Sequence, residues 1–229
     1  MARLQVRSAR DDELHAAAAL RRAVFVDEMG AGAGAEADRF DGQAEHLVLI
    51  DRDESDPAIL GTLRVALGSS YTSQEFVLDG LPDRSRPLGE IGRMCLHPSR
   101  RGGVGTGLLL RAAVDRLQGL GCRTLVGTAS FPGTTFDHHL PALRALRDAA
   151  ALPGGWTVRP VARAGRRIVG AGRPADMRRV PALVKGYVRA GAMVADCAFI
   201  DTAFATIDVC VVLPLDSVRM PRALKAWSQ

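Results

Sequence analysis

Apolar positions along this chain follow two different periods in successive segments. Strict alternation predicts a half-buried strand, and apolar residues three and four positions apart predict an amphipathic helix. The predicted strands or extended segments are residues 3–9, 46–50, 59–67, 88–97, 123–130, 156–161 and 206–215. The predicted helices begin after Asp11 or Asp12, at residue 106 and at residue 141, and residues 181–195 form a helix or a pair of turns. This order of elements predicts an α/β (α+β) fold.

A glycine-rich turn between a strand and a helix is the most informative local pattern. Pro98 ends the strand, and an apolar helical run begins at Leu108. The turn between them contains Arg100, Arg101, Gly102, Gly103, Val104, Gly105, Thr106 and Gly107. Glycine lets the backbone come close to a ligand, and the free N–H groups at a helix start attract anionic oxygens. The turn therefore predicts a phosphate or pyrophosphate site, although a plain strand-to-helix turn also favours glycine.

Two other phosphate-binding loops fit this turn less well. A P-loop is excluded because no Gly-Lys-Ser/Thr sequence follows the glycines. A Rossmann loop fits poorly because no acidic residue ends a second strand about 20 residues further on.

The composition predicts a single domain, residues 1–229, with a basic insertion around residues 159–180. A chain of 229 residues with 47% hydrophobic content is long enough to bury a substantial core. The basic residues of the insertion are Arg159, Arg163, Arg166, Arg167, Arg173, Arg178 and Arg179. No aromatic residue lies among them to stack on bases, so the net charge of +5 does not indicate a nucleic-acid partner. The remaining interpretations are a solvated insertion, docking of an acidic carrier protein, and peripheral contact with the anionic inner membrane surface.

Neither a membrane span nor a metal site is predicted. Acidic residues from Asp11 onward interrupt any signal-peptide core, and no segment approaches the ~20 apolar residues of a membrane span, so a cytoplasmic protein is expected. The four cysteines are Cys95, Cys122, Cys197 and Cys210. Their wide spacing is typical of reduced core thiols rather than of a zinc site. Cys95 and His97 share a strand face but do not form a typical nucleophile pair.

The glycine turn resembles that of the GNAT acyltransferases, whose Arg-x-x-Gly-x-Gly pattern is matched by Arg100, Gly103 and Gly105. The resemblance implies a mixed, mostly antiparallel central sheet flanked by helices. It also implies an acyl thioester, of coenzyme A or of acyl-carrier protein, as co-substrate and no tightly bound cofactor. The residues that would hold the phosphopantetheine arm are Met94, Cys95, Leu96, Arg100, Arg101, Gly103 and Gly105.

Several further segments resemble the ornithine-acyl-carrier-protein N-acyltransferases, which are related to the acyl-homoserine-lactone synthases. These segments are VFVDEM (24–29), ADRFD (37–41), GEIGRMCLHP (89–98), TASFPGT (128–134), PALVKGYVRAGA (181–192) and IDVCVVLP (207–214). The resemblance covers residues 21–215. The basic insertion and residues 122–127 depart from the pattern.

The resemblance implies transfer of a long-chain, 3-hydroxy acyl group from acyl-carrier protein to the α-amino group of ornithine, giving lyso-ornithine lipid. One alternative is a different amino-acid N-acyltransferase or a homoserine-lactone synthase. The synthase is disfavoured because Asp27-Glu28-Met29 stands where a Trp is usually found. A second alternative is a noncatalytic module that binds acyl chains or a carrier protein.

The same resemblance assigns roles to individual side chains. Glu90 and Arg93 are the expected catalytic residues, with Glu90 as the base that deprotonates the acceptor amine through a water. The expected substrate-binding residues are Glu36, Asp38, Asp41, Arg64 and Tyr187. The carboxylates would bind cations and Arg64 or Arg93 the substrate carboxylate. Alternatively, these groups form a salt-bridge network that orders a loop, and Tyr187 is a core tyrosine. A backbone N–H of residues 94–96 would stabilise the oxyanion.

Overall fold

The computed structural model describes residues 3–53, 58–101, 104–161 and 163–219, which form two compact units. The strands are β1 (Leu4–Ser8), β2 (Glu45–Asp51), β3 (Gly61–Leu67), β4 (Phe76–Val77), β5 (Leu88–Leu96), β6 (Thr124–Pro132), β7 (Arg159–Pro160), β8 (Gly165–Arg167), β9 (Met193–Asp201) and β10 (Thr206–Pro214). The α-helices are α1 (Leu14–Arg21), α2 (Gly105–Gly119), α3 (Phe136–Ala149) and α4 (Ala182–Arg189). Strand β5 contributes its first three residues to the second unit and the rest to the first.

The first unit contains β1, β2, β3, the second part of β5, α1 and α2. Strands β1, β2 and β3 pair antiparallel, with Leu47 of β2 opposite Leu63 of β3. Helix α2 packs on all three of these strands and contributes the fully buried side chains of Leu109 and Leu117. Burying one such leucine stabilises the folded state by about 1.5–3 kcal/mol, so this helix face fixes α2 on the sheet.

The second unit contains β4, the start of β5, β6 to β10, α3 and α4. Residues 88–90 of β5 pair parallel with residues 124–126 of β6. The order continues with antiparallel pairs from β6 to β10, β9 and β8, and β4 pairs with β7 in a separate two-stranded sheet. The core of this unit contains Phe76, Val126, Cys210 and Val212, all fully buried. Both faces of β10 are buried, which explains its nearly continuous apolar sequence.

The predicted fold class is confirmed, since each unit has a mostly antiparallel sheet with helices packed on it. The prediction of helix or turns for residues 181–195 was wrong at its end, because α4 stops at Arg189 and Met193 already belongs to β9. The sequence of β9 contains two Asp and two Ala residues, which have weak β-propensity. Pairing with β10 on one side and β8 on the other makes it a strand.

Two helices differ from the prediction in geometry or in bounds. The first, whose predicted apolar face reaches Phe25, continues from α1 through a segment with π-helical geometry, Arg22–Glu28. Helix α3 begins at Phe136 and contains Pro141, where the sequence predicted its start. Asp137 in the first turn stabilises the earlier start through its interaction with the positive end of the helix dipole.

The basic stretch of residues 159–180 packs against α3. Arg144 Nε of α3 donates to Val169 O at 2.6 Å, and the backbone N–H of Gly172 donates to Asp148 Oδ2 at 2.7 Å. Ile168 and Val180 are 3% and 2% exposed, so the interpretation of a merely solvated insertion is wrong for these residues. That the whole chain is one domain stays a prediction.

All four cysteines are buried free thiols, as their spacing predicts. No helix in the described part of the chain is both long and apolar enough to span a membrane.

We expect Gly172→Ala to destabilise the protein by about 1–3 kcal/mol, the usual range for overpacking. A Cβ at this position would lie 2.5 Å from the backbone N of Ala145 and 2.5 Å from the carbonyl carbon of Arg144, so the chain must move away from α3. Urea unfolding measures the effect. The control, Gly186→Ala in α4, adds a Cβ in open space and should be neutral or stabilising by up to ~1 kcal/mol. Equal effects of the two changes would contradict the proposed packing.

Candidate active site

The predicted phosphate-binding turn joins β5 to α2. Arg101 donates from Nε to Leu96 O at 3.3 Å and pairs with Glu28, with 2.7 Å between Arg101 Nη2 and Glu28 Oε2. Gly105, the first residue of α2, packs against Leu49, and a Cβ there would lie 3.0 Å from Leu49 Cδ2. Gly103 of the predicted motif lies outside the described residues.

The start of α2 has no side-chain cap. Its N-cap residue, Val104, has no group that could accept a hydrogen bond from the first turn. The first backbone N–H groups of an α-helix have no partner within the helix. Together with the partial positive charge of the helix end, they suit an anionic ligand such as a phosphate. Arg100 adds a half-buried guanidinium whose Nη2 lies 3.9 Å from Asp51 Oδ2.

Strand β5 is distorted at Arg93, where φ is 52°. A residue other than glycine pays roughly 1–3 kcal/mol for this left-handed conformation, and such residues cluster at functional sites. The distortion changes the direction of the backbone groups in the following residues, Met94, Cys95 and Leu96, for which the family resemblance implies contact with the oxyanion and the donor arm. Burial raises the pKa of the Cys95 thiol to about 12, which favours a neutral, packed thiol over a nucleophile.

The predicted loop residues and arginines of the first unit form a salt-bridge network. Arg64 Nη1 donates to Asp38 Oδ1 at 2.6 Å and to Asp41 Oδ1 at 2.9 Å. Arg93 Nη2 donates to the other oxygen of Asp38, also at 2.6 Å. Both arginine side chains are buried, at 4% and 7% exposure, whereas the two aspartates are about one-fifth exposed. The network ties the loop to β3 and β5, as one of the two sequence interpretations requires.

Sequence reasoning gave no role to two members of this network, Arg21 and His46. Arg21, only 2% exposed, donates to Asp41 Oδ1 at 3.1 Å, and its Nη2 lies 2.6 Å from His46 Nδ1. Burial lowers the pKa of His46, and the neighbouring Arg21 lowers it further. With His46 neutral, the network holds three guanidinium groups against two carboxylates. The signal for Arg21 in the sequence is an arginine on the apolar face of a helix.

Glu36 takes part in the network mainly through its backbone. Its carbonyl accepts from Arg21 Nη1 at 3.4 Å. Its carboxylate accepts from the Gly34 N–H at 3.0 Å and lies 3.4 Å from Arg22 Nη1.

Glu90 of the second unit is a buried acceptor of three hydrogen bonds. Oε1 accepts from the N–H of Thr72 at 2.5 Å and also from the Thr72 hydroxyl. Oε2 accepts from the N–H of Tyr71 at 3.0 Å. These bonds fix the carboxylate on the turn that precedes Glu75. A base at this position is therefore held in one orientation by backbone groups.

Tyr187 lies buried on α4, which packs against β6. Burial raises the pKa of its hydroxyl above the ordinary value. Its role in substrate binding stays a prediction.

A second group that sequence reasoning missed is an acidic triad of Glu75, Asp201 and Asp208 in the second unit. One oxygen of each lies within 4.8 Å of the others, and all three residues are buried. Burial and the neighbouring carboxylates raise the pKa of Glu75 to about 10. Burial raises the pKa of Asp208 to about 6. The signal in the sequence is an aspartate in the otherwise apolar strand β10. The separation of the oxygens suits a cation.

Comparison with known proteins decides the family. The model of the Acetyltransferase (GNAT) domain matches residues 20–111. The L-ornithine N(alpha)-acyltransferase of Rhodobacter capsulatus is 36% identical over 233 residues, which cover 91% of this chain and 89% of the relative. The chain belongs to the L-ornithine N(alpha)-acyltransferase family. A member from Rhizobium meliloti is 31% identical over 95% of this chain and 82% of its own length.

The fold of this acyltransferase also resembles a solved one. The structure of FeeM, an N-acyl amino acid synthase from uncultured soil microbes, superposes with a TM-score of 0.50 over 93% of each chain, at 10% identity. Membership of the family and the GNAT domain confirm the prediction that the protein is an acyltransferase. The individual roles of Glu90, Arg93 and the network residues stay predictions.

We expect the Asp38–Arg93 pair of this acyltransferase to contribute about 1–3 kcal/mol of coupling to the free energy of unfolding. The reason is that Arg93 is buried and its partner is largely shielded from water. A double-mutant cycle of Asp38→Ala and Arg93→Met, followed by urea unfolding, measures the coupling. The control cycle uses Asp79→Ala and Arg159→Met, a pair 3.1 Å apart with side chains 69% and 65% exposed, and should give well under 1 kcal/mol. The interpretation fails if the two couplings are equal.

The acidic triad predicts a pH-dependent effect of Glu75→Gln on stability. Because the pKa of Glu75 is raised to about 10, the folded protein keeps a proton that the unfolded chain releases above about pH 4.5. The contribution of Glu75 to stability is therefore largest below pH 4.5 and is lost as the pH rises toward 10. Glutamine cannot ionise, so the variant should gain stability relative to the parent between pH 5 and pH 8. Thermal unfolding at both pH values tests this, and a relative loss at pH 8 would contradict it.

Proposed function

We propose that this protein transfers an acyl group from the thioester of acyl-carrier protein to the α-amino group of L-ornithine. The observation that carries the proposal is the match to L-ornithine N(alpha)-acyltransferases along nine-tenths of the chain. The acyl group is long and 3-hydroxylated, and the product is lyso-ornithine lipid. The protein acts in the cytoplasm, with peripheral contact at the inner membrane surface where a lipid product leaves.

The acceptor ammonium must lose two protons, one before its nitrogen attacks and one as the amide forms. An amine with a pKa of ~10 is mostly protonated at neutral pH, so it must lose a proton before its nitrogen attacks the thioester carbon. Glu90 accepts this proton, through a water molecule. The hydrogen bonds from Tyr71 and Thr72 keep its carboxylate in a fixed orientation, which supports this role. The C–S bond of the resulting tetrahedral intermediate then breaks, and the sulfur leaves as a thiolate. The attached nitrogen releases its second proton as the amide forms, and the thiolate takes up that proton.

The donor arm binds along residues 94–96 and at the start of α2. The uncapped N–H groups of α2, with Arg100 and Arg101, hold the phosphate of the phosphopantetheine arm. A backbone N–H of residues 94–96, redirected by the distortion at Arg93, donates to the oxyanion. No tightly bound cofactor takes part.

The acceptor carboxylate binds an arginine of the salt-bridge network. Arg64 or Arg93 is the ligand, because a guanidinium binds a carboxylate through two parallel hydrogen bonds, and Glu36, Asp38 and Asp41 keep the arginines in place.

Charge favours carrier protein over coenzyme A as the donor. Both donors present the same arm, but only the carrier is an acidic protein that a basic face attracts. Arg163 and Arg166 lie on the basic stretch. Arg166 donates a hydrogen bond to the carbonyl of Arg163 at 3.2 Å. The guanidinium of Arg166 has no acidic partner among the described ion pairs.

Mass spectrometry of the products tests donor and acceptor together. Purified protein is incubated with long-chain acyl-carrier protein or acyl-coenzyme A, and with ornithine, lysine, glycine or S-adenosylmethionine. We expect N-acyl-ornithine, formed faster from the carrier thioester, with an advantage that falls as salt screens the charges. Product from another amine alone would overturn the proposed acceptor, and the absence of any product would favour a binding module.

We expect Glu90→Gln to lower kcat by about 10²–10⁴-fold, the usual contribution of a general base. The loss should be smaller at high pH, where more of the amine is already unprotonated. Thr72→Val is the matched control, because it removes one hydrogen bond to Glu90 but keeps the carboxylate. It should lower kcat less than tenfold. Equal losses in the two variants, independent of pH, would indicate that Glu90 only holds the turn of residues 71–72.

A further inference from the structure

The acidic triad has no positively charged partner within the described part of the chain. Glu75, Asp201 and Asp208 are 4%, 9% and 2% exposed. Among the residues that the structure describes, no arginine, lysine or histidine forms an ion pair with any of the three. A buried carboxylate without a counter-charge is unfavourable, and such groups are ordinarily paired or bind a cation. The three residues therefore form a buried acidic cluster without a counter-charge among the described residues, and Glu75 keeps its proton because burial and the neighbouring carboxylates raise its pKa to about 10.

Unpartnered polar atoms lie at the same place. Thr206 is 2% exposed, and its hydroxyl is buried without a hydrogen-bond partner of good geometry. Thr206 stands opposite Asp201 in the β9–β10 ladder and two residues before Asp208, so the three side chains share one face of the sheet. Asp208 lies within hydrogen-bonding reach of Ser130, Thr206 and Glu75, but one oxygen of Glu75 and one of Asp208 are buried without a hydrogen bond of good geometry. A ligand that donates several hydrogen bonds would satisfy these atoms.

The acceptors suit a primary ammonium group. An ammonium carries one positive charge, three N–H donors and no acceptor, which matches a set of carboxylate and hydroxyl oxygens. A bare Ca²⁺ ion takes six to eight oxygen ligands, and Mg²⁺ retains several waters, which a site this deeply buried accommodates poorly. Ornithine differs from an apolar amino acid of the same length only by its terminal ammonium.

We propose, on the basis of the function proposed above, that Glu75, Asp201 and Asp208 bind the side-chain ammonium of the acceptor amino acid. The triad is a binding site that sets specificity for a diamino acid, separate from the base that removes the α-ammonium proton.

The chain connects this site directly to Glu90. The N–H and hydroxyl of Thr72 donate to Glu90, and the carbonyl of Thr72 accepts from the N–H of Glu75 at 3.1 Å. A single turn of 3-10 helix, Thr72–Gln74, therefore positions both carboxylates within the second unit. This arrangement suits a substrate with two amino groups separated by a short aliphatic chain.

The experiment compares ornithine with norvaline, which has the same carbon chain but no terminal amine. Values of kcat/KM are measured for both acceptors in the parent, in Asp208→Asn and in Asp201→Asn. The control is Asp196→Asn, which changes an exposed aspartate on the same strand as Asp201, paired with Arg167. These replacements keep the side-chain volume, and circular dichroism verifies that each variant is folded.

We expect the parent to prefer ornithine by about 100-fold or more, because an acceptor without the ammonium leaves buried groups unpaired. Each triad variant should lose about 10–100-fold in kcat/KM for ornithine, the range for a hydrogen bond to a charged group. Its activity on norvaline should change less than about threefold. The control should keep the parental preference.

The inference is overturned by equal losses on both acceptors, which indicate a structural role, or by an unchanged preference for ornithine in the triad variants. Stabilisation of the parent by Mg²⁺ or Ca²⁺ that the triad variants lose, without any effect of ornithine, also overturns it and indicates a metal site. If the parent makes no N-acyl-ornithine, the proposed function fails. Calorimetric titration of ornithine and norvaline into the parent and into Asp208→Asn then tests the role of the triad independently. Ornithine binding that the parent shows and Asp208→Asn loses supports that role. Equal ornithine binding by both proteins, or no ornithine binding by the parent, refutes it.

Discussion

Burial of charged groups is the constraint on which the candidate site depends. Asp38 receives hydrogen bonds from Arg64 on β3 and from Arg93 on β5, so one loop carboxylate joins two strands of the first unit. Removing one partner of a buried ion pair leaves an uncompensated charge, which is strongly destabilising. The arginines therefore hold the loop in place. The loop carboxylates in turn offset the unfavourable free energy of burying the guanidinium groups.

Four buried carboxylates of the second unit, unlike those of the salt-bridge network in the first, have no arginine partner among the described ion pairs. Glu90 is satisfied by backbone N–H groups and a hydroxyl, whereas Glu75, Asp201 and Asp208 lie together without a positive partner among the described residues. The raised pKa values of Glu75 and Asp208 express the unfavourable energy of that arrangement. Such a cluster lowers the stability of the fold, and binding of a substrate cation would offset that loss.

Much of the fold follows from local patterns. Alternation identified β2, β3, β5 and β6, and helical spacing identified α2, because these segments bury a regular face. A nearly continuous apolar run identified β10, which is buried on both faces. Strand β9 was missed, since its sequence is a weak strand former and its conformation comes from the neighbours on both sides. The helical run through Phe25 was predicted, but the π-helical geometry of Arg22–Glu28 was not, because no local signal marks it.

The sequence by itself determined the family, the order of elements and the residues of the glycine turn, since these are properties of segments close together along the chain. It also indicated that Asp38, Asp41, Arg64 and Arg93 belong to one site. Only the tertiary structure decided that Arg21 and His46 complete that network and that Glu75 meets Asp201 and Asp208. These residues lie far apart along the chain, and their electrostatic environment depends on strand pairing and burial, which no local pattern specifies.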